Sequence, residues 1–423
     1  MSSSPPCTKS DPAISPQVAE REIRLDIVVI MRSMVPYWIE FLDSIAVAWG
    51  NRGKITIISG EVGVDSLHPW DTESQGTIKV AEGCNIPTSN GRFGTAWPGS
   101  EMWKTLNRLS PSIVIIHEYS PYVVLSGLIW AKANRRACIL TSDVGPVQRQ
   151  QLTFLQRIVH YFVNISVDGM LARTQDAFVQ SRISKKTGIL APHAINTQSY
   201  TRNIERKNAP KRIIQVGSLI PRKGVDLLFK AFAEARRSRN DLELVLVGSG
   251  DFEGTRRMAE ELAIADFVTL LDFLQPKILL AEYSRSDVFV LASRFDSYGV
   301  VVHEAASVGL PLVVSKFAGA SSTLIVQGKN GFQIDPNDTS AFSDAILRCL
   351  DSDLNWEFSK NSREIAEKFD VQSIASDTAL WLEQFLKTPQ FSTEHKHNPS
   401  FVVGCWNLVV AIFCAQFKDA PKS

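Results

Sequence analysis

One stretch constrains this chain more than any other. Between Asp287 and Ser315 it reads DVFVLAS, RFDSYG, VVVHEAASVG and LPLVVS in succession. Val288 to Leu291 is short, apolar and β-branched, the pattern of a strand buried on both faces of a parallel sheet. Arg294 to Gly299 is a polar loop leading into a helix. Gly309 and Pro311 end that helix, the first as the residue past its end and the second as a breaker. LPLVV is then the next buried strand. Such a unit puts a helix N-terminus at the carboxyl end of a strand, where open α/β sheets bind ligands. The N–H groups of Tyr298, Gly299 and Val300 are expected there, and they favour an anion such as a pyrophosphate. Two carboxylates frame the site. Asp296 lies in the loop, where it is either a ligand contact or a plain helix cap. Glu304 lies about a turn and a half into the helix.

The spacing Asp296-x7-Glu304, with an aromatic-Gly pair between, resembles the E-x7-E motif of retaining, nucleotide-sugar-dependent glycosyltransferases of group 1. Here Asp stands where that family usually has the first Glu. The resemblance implies a GT-B fold, two Rossmann-like α/β/α domains whose parallel sheets face a cleft. It also implies that Asp296 contacts the donor sugar and that Glu304 holds the ribose hydroxyls. Ser297, Tyr298, Gly299 and Val300 complete that side of the donor site. IIQVGSLIPRKGVDLLFKAF, from Ile213, resembles the family's G-R-L…K-G segment. Lys223 thereby inherits a phosphate-contacting role, with Gly217 and Ser218 beside it. Ser218 replaces the usual Arg, and Arg222 is the candidate substitute. Basic residues there neutralise a diphosphate leaving group. LELVLV (Leu242–Val247) is a strand, and Gly248-Ser249-Gly250 after it reads as a tight turn near the donor. Gly319-Ala320 and Gly328–Asp335 resemble further turns of the same family, as does Ala191–Asn196 (APHAIN), which precedes its crossover between domains.

The first domain is less explicit. Leu25–Met31 and Ile55–Ser59 read as strands around a helix, Pro36–Trp49. The loop between, from Arg32 to Pro36, lacks the expected glycines, which disfavours close backbone approach to a ligand there. Gly60–Gly99 is either an acceptor-holding elaboration or a surface hairpin. Ile113–Ile116 is a strand ending in His117, which is placed either to touch substrate or to serve as a hydrogen-bonded structural residue. Cys138–Thr141 is another strand. Where relatives carry an acceptor-side His, this chain offers Ser142 or Asp143, of which Asp143 is the better proton acceptor or else a turn residue before Gly-Pro. Arg149–Val163 reads as an amphipathic helix that packs on the sheet or touches a membrane surface.

The expected layout is a tail over 1–22, an acceptor-side domain over 23–200, a nucleotide-sugar domain over 201–386, and a second tail over 387–423. The helix Ile374–Leu386 is a candidate for packing back on the first domain. In the second tail, Phe401–Phe417 is uncharged but short of the about 20 residues of a membrane span; a membrane-lying segment, a buried helix and a strand all fit it. Lys+Arg 45 against Asp+Glu 44 leaves a net charge of +1, so no basic field recruits nucleic acid. Six cysteines are scattered without a C-x-x-C pair, which argues against zinc and disulfides and suits the cytoplasm. Asp351-Ser352-Asp353 is read as a polar stretch past a helix end, not a metal site, and no metal or cofactor is expected. The function implied is transfer of a sugar from a nucleoside diphosphate sugar to a hydroxyl of a carbohydrate or lipid-linked glycan, with retention, in cell-surface polysaccharide or glycolipid assembly and with possible contact to the inner membrane face. A non-catalytic nucleotide-sugar-binding GT-B protein and a sugar-nucleotide epimerase are the alternatives.

Overall fold

The computed structural model describes residues 24–31, 35–59, 79–80, 100–117, 119, 121–145, 149–150, 152–180, 188–200 and 210–388. Most of 60–99 and all of 401–417 lie outside them.

Two parallel sheets organise the chain. The first contains β1 (Ile27–Met31), β2 (Ile55–Ser59), β3 (Lys79–Val80), β4 (Ile113–His117), β5 (Ala137–Ser142), β6 (Gly169–Ala172) and β7 (Gly188–Leu190), in the order β3-β2-β1-β4-β5-β6-β7. The second contains β8 (Lys211–Val216), β9 (Leu242–Val247), β10 (Val268–Leu271), β11 (Val288–Leu291), β12 (Leu312–Ser315) and β13 (Gly331–Ile334), in the order β10-β9-β8-β11-β12-β13. Each sheet reverses direction once, between β1 and β4 and between β8 and β11. Ligands of open α/β sheets sit outside the carboxyl ends of the strands at such reversals. The loops after β8 and β11 are therefore the ones to inspect.

The central strands are apolar throughout because helices cover both faces; every residue of β1, β2, β11 and β12 is buried. The last helix, Val371–Leu386, leaves the second domain and packs on the first. Its buried residues Val371, Ile374, Ala375, Thr378, Ala379, Leu382 and Phe385 recur at helical spacing, and they join the core formed with the helix Pro36–Trp49. Asp370 caps this helix through Gln372 N at 2.9 Å. Its other oxygen accepts from Thr197 N (3.0 Å) and Thr197 Oγ1 (2.8 Å). Val371 N donates to Ile195 O at 3.0 Å. The two chain crossings between the domains are thus tied side by side.

Two expectations need correction. The helix expected over Arg149–Val163 runs Phe154–Ser166, because Thr153 and Gln156 form a capping box that fixes its start. The stretch after Leu350 is not merely polar: Ser352–Glu367 is a helix, capped by Asp351, which accepts from Asp353 N and Leu354 N.

Candidate functional site

Gly299 precedes the helix Val300–Val308 with φ 87°, a conformation that a side chain strains, and no side chain caps that helix. The loop before it is fixed by backbone bonds to the following turn: Asp296 N to Phe317 O (3.1 Å), Gly319 N to Asp296 O (3.1 Å) and Ala320 N to Tyr298 O (2.8 Å). The Asp296 side chain therefore does not cap the helix. It pairs with Lys223 Nζ. Lys223 arrives from the other reversal loop, where β8 ends at Val216, a short turn spans Pro221–Lys223, and Gly224 (φ 66°) precedes the next helix. A Cβ on Gly224 would lie 2.0 Å from Ala292 O, so only glycine lets the two loops approach this closely. Lys223 is 9% and Asp296 8% exposed. Arg222, by contrast, is exposed. It donates to Phe295 O at 2.9 Å and stands 3.8 Å from Asp296 Oδ1.

An interdomain cavity of about 280 Å³ opens over this pair. Of the residues singled out in the sequence, Asp296, Lys223, Glu304, Ser297, Tyr298, Gly299, Val300, Gly217, Ser218, Gly248 and Asp143 line it. Arg222 stays at its rim. Glu304 Oε2 accepts from the Tyr283 hydroxyl at 2.8 Å. Burial raises the Glu304 pKa, and the Tyr283 hydroxyl opposes that rise by favouring the charged form. Phe273 and Leu274, after β10, add an apolar flank.

The first domain supplies the facing wall from Val35, Tyr37, Asp143 and His193. His193 is 5% exposed. Its ring meets Tyr37 edge-on at 5.2 Å, Trp38 at 5.6 Å and Tyr298 of the second domain at 4.8 Å. Its Nε2 lies 4.0 Å from Asp143 Oδ2. Burial, followed by the nearby Arg173 and His117, drives its pKa well below the ordinary histidine value, so the ring is neutral. Arg173 is buried behind this wall, 4.1 Å over the Trp38 ring and 4.4 Å over Phe41. It donates to Thr141 Oγ1 and Ala191 O, both at 2.9 Å. Burial lowers its pKa to about 9.

His117 ends β4 as expected but does not line the cavity. Its ring packs 4.8 Å from Trp38, which takes the space in front of it, and burial lowers its pKa to about 4. His193 lies in the crossover segment Ala191–Asn196, whose resemblance assigns it no role. Its wall partner Val35 lies in the glycine-poor loop, and Tyr37 directly follows that loop. Among the described residues no three His, Cys, Asp or Glu side chains converge as a metal site, and no described helix is long and apolar enough to cross a membrane.

Residues 197–369 match the family model of the glycosyl transferases of group 1. The chain is 32% identical over 142 residues to the GDP-mannose-dependent alpha-(1-6)-phosphatidylinositol monomannoside mannosyltransferase of Mycolicibacterium smegmatis, which covers 32% of this chain and 37% of that protein. It is 30% identical over 167 residues to the D-inositol 3-phosphate glycosyltransferase of Acidothermus cellulolyticus, 37% of each. The chain thus spans well under half the length of these relatives. Among solved structures, sucrose-phosphate synthase from Thermosynechococcus elongatus superposes with a TM-score of 0.70 at 19% identity, over 86% of this chain and 99% of that one. HepE of Anabaena, solved with UDP and glucose, gives 0.64 at 18% identity, over 85% and 100%. These likenesses establish the GT-B fold.

Proposed function

With its second domain belonging to the group 1 glycosyltransferases, we propose that this chain transfers a sugar from a nucleoside diphosphate sugar to an acceptor hydroxyl, with retention at the anomeric carbon. The observation that carries the reading is the convergence of Lys223, Asp296, Glu304 and the N-terminus of the helix Val300–Val308 on one interdomain cavity. The diphosphate takes the Lys223 ammonium and the first helix amides, both of which stabilise the charge that grows on the leaving group. Glu304 takes the ribose hydroxyls, and Asp296 the donor sugar. The anomeric carbon–phosphate oxygen bond breaks, a bond to the acceptor oxygen forms on the same face, and the acceptor's proton passes to the departing phosphate. No protein nucleophile is required. Because Lys223 and the helix meet the phosphate charge, the reading needs no divalent cation, and EDTA leaves the rate unchanged.

His193 and Asp143 face the donor from the first domain and are assigned to the acceptor side. The curated relatives carry glycolipid and inositol phosphate names, which supports a carbohydrate or lipid-linked acceptor in surface glycan assembly on the cytoplasmic side of a membrane.

A thermal-shift and hydrolysis screen with UDP, GDP, ADP and their common sugars tests this on wild type and Glu304→Ala. One nucleotide is expected to stabilise the wild type alone, with slow release of that diphosphate from its sugar. No shift with any nucleotide, or an equal shift in the variant, defeats the reading. Donor interconversion without acceptor would make the protein an epimerase instead.

A further inference from the structure

We propose that Arg294 is a positioning residue: it clasps the two reversal loops together and so places Lys223 where charge grows on the leaving diphosphate. This rests on the donor-site reading above.

The two charges of the site stand on separate loops. Lys223 ends the turn Pro221–Lys223, and Asp296 follows β11. Arg294, two residues before Asp296, grips the other loop on both sides of Lys223. Its guanidinium meets the Asp226 carboxylate bidentately, Nη1 donating to Oδ1 at 2.7 Å and Nη2 to Oδ2 at 2.6 Å. Nη1 also donates to Pro221 O at 2.8 Å. The Arg294 N–H donates to Arg222 O at 2.9 Å. Arg222 returns the contact by donating to Phe295 O at 2.9 Å. A fork-to-fork pair of this kind fixes geometry as well as charge. Asp226 lies in the first turn of its helix, where a carboxylate is favoured, and the bond to Arg294 holds its carboxyl below the ordinary range. Neither Arg294 nor Asp226 lines the cavity. Their part is to place another group, not to touch the donor.

Lys223 Nζ pairs with Asp296. To meet a diphosphate it must share or leave that carboxylate. The clasp keeps the main chain in register while the side chain changes partner. The other donor contacts are held separately. The loop from Asp296 to Tyr298 is bound to Phe317, Gly319 and Ala320, and Glu304 is bound to Tyr283. Loss of the clasp therefore loosens Lys223 and leaves the rest of the donor site in place.

The test follows release of nucleoside diphosphate from the UDP-, GDP- and ADP-sugars of the screen above. It uses the full chain as wild type, Arg294→Ala, Asp226→Asn, Lys223→Met and Arg294→Ala/Lys223→Met. Arg294→Ala is expected to lower kcat about 30-fold, the scale of a catalytic charge displaced by less than about 1 Å. Donor KM should stay within about threefold. The Arg294 side chain is 41% exposed, so Tm should fall by no more than about 3 °C. Asp226→Asn keeps the shape and loses the charge, and its kcat should fall in the same direction by less. In the Lys223→Met background, Arg294→Ala should change kcat by less than about twofold, because nothing remains for the clasp to place. Four outcomes overturn the proposal: wild-type kcat in Arg294→Ala, wild-type kcat in Asp226→Asn, a loss carried by KM alone, or an equal loss with and without Lys223, which would make Arg294 a structural residue. Wild-type turnover in Lys223→Met, or no release from any donor, defeats the donor-site reading together with the proposal. If Lys223→Met loses turnover and Arg294→Ala does not, only the proposal fails.

Discussion

The two walls of the cavity are built differently. The second-domain wall is charged and local: Lys223, Asp296 and Glu304 stand on two strand–loop–helix units at the β8/β11 reversal. The first-domain wall is aromatic and dispersed. Tyr37 comes from the start of a helix, Asp143 from the end of β5 and His193 from the crossover. Arg173 is withdrawn behind Trp38 and Phe41. A wall that must meet two phosphate charges needs ammonium and amide donors held in place. A wall that must accept varied hydroxyls in a desolvated gap needs shape and few charges.

The largest expected effect tests the charged wall. Lys223→Met should lower kcat/KM about 10³-fold, the upper range for loss of one preorganised charge donor. It also leaves buried Asp296 with only the longer, exposed contact to Arg222 at 3.8 Å, which costs up to about 3 kcal/mol of stability. Lys223→Met/Asp296→Asn removes both charges. Chemical denaturation should show much of the stability restored, while turnover stays as low as in the single variant. If restored stability brings turnover back, Lys223 serves folding and not transfer.

The same contrast explains what the sequence revealed. Each half of the charged wall lies within one short segment, so a local spacing, Asp296-x7-Glu304 or the Gly217–Gly224 loop, was enough to find it. No local spacing joins Val35, Tyr37, Asp143 and His193. Their meeting depends on where a helix and a crossover settle after the sheet has formed. His117 shows the limit in the other direction: the carboxyl end of a parallel strand marks the crevice, yet Trp38 from the neighbouring helix fills the space before it. The returning helix was legible because its apolar residues recur at helical spacing. The helix Ser352–Glu367 was not, since only Phe358, Ser362 and Ala366 are buried, too few to set a period.

His193 tests the aromatic wall. His193→Ala should raise acceptor KM about tenfold and leave donor affinity within about twofold, because Tyr298 keeps its backbone bond to Ala320. His193→Phe retains the edge-on ring contacts and loses the ring nitrogens. If Phe restores acceptor binding, the wall works by shape; if it does not, a nitrogen contacts the acceptor. A loss confined to donor affinity would move His193 to the other wall.

The smallest effect is one of pH, and it separates the walls again. All four described histidines have pKa values depressed by burial: His117 and His160 to about 4, and His193 and His303 by direction. Three lie in the first domain. His303, in the second, has Nε2 3.1 Å from Ala366 O and Nδ1 3.4 Å from His193 O. In the unfolded chain each takes up a proton near pH 6.5; the folded chain resists until well below that. The unfolded state thus binds more protons in this window, and stability falls as pH drops from about 6.5 towards 4, by up to about 1.4 kcal/mol per pH unit for each group. Glu304 and Glu40, with raised pKa values, take up protons first in the folded state and offset part of that loss. The net expectation is a Tm several degrees lower at pH 5.5 than at pH 7.5. His160 stacks 3.7 Å from Tyr119 and does not line the cavity, so His160→Phe should reduce the fall without changing turnover at neutral pH. An equal fall in that variant would assign the acid sensitivity to the remaining histidines at the domain junction.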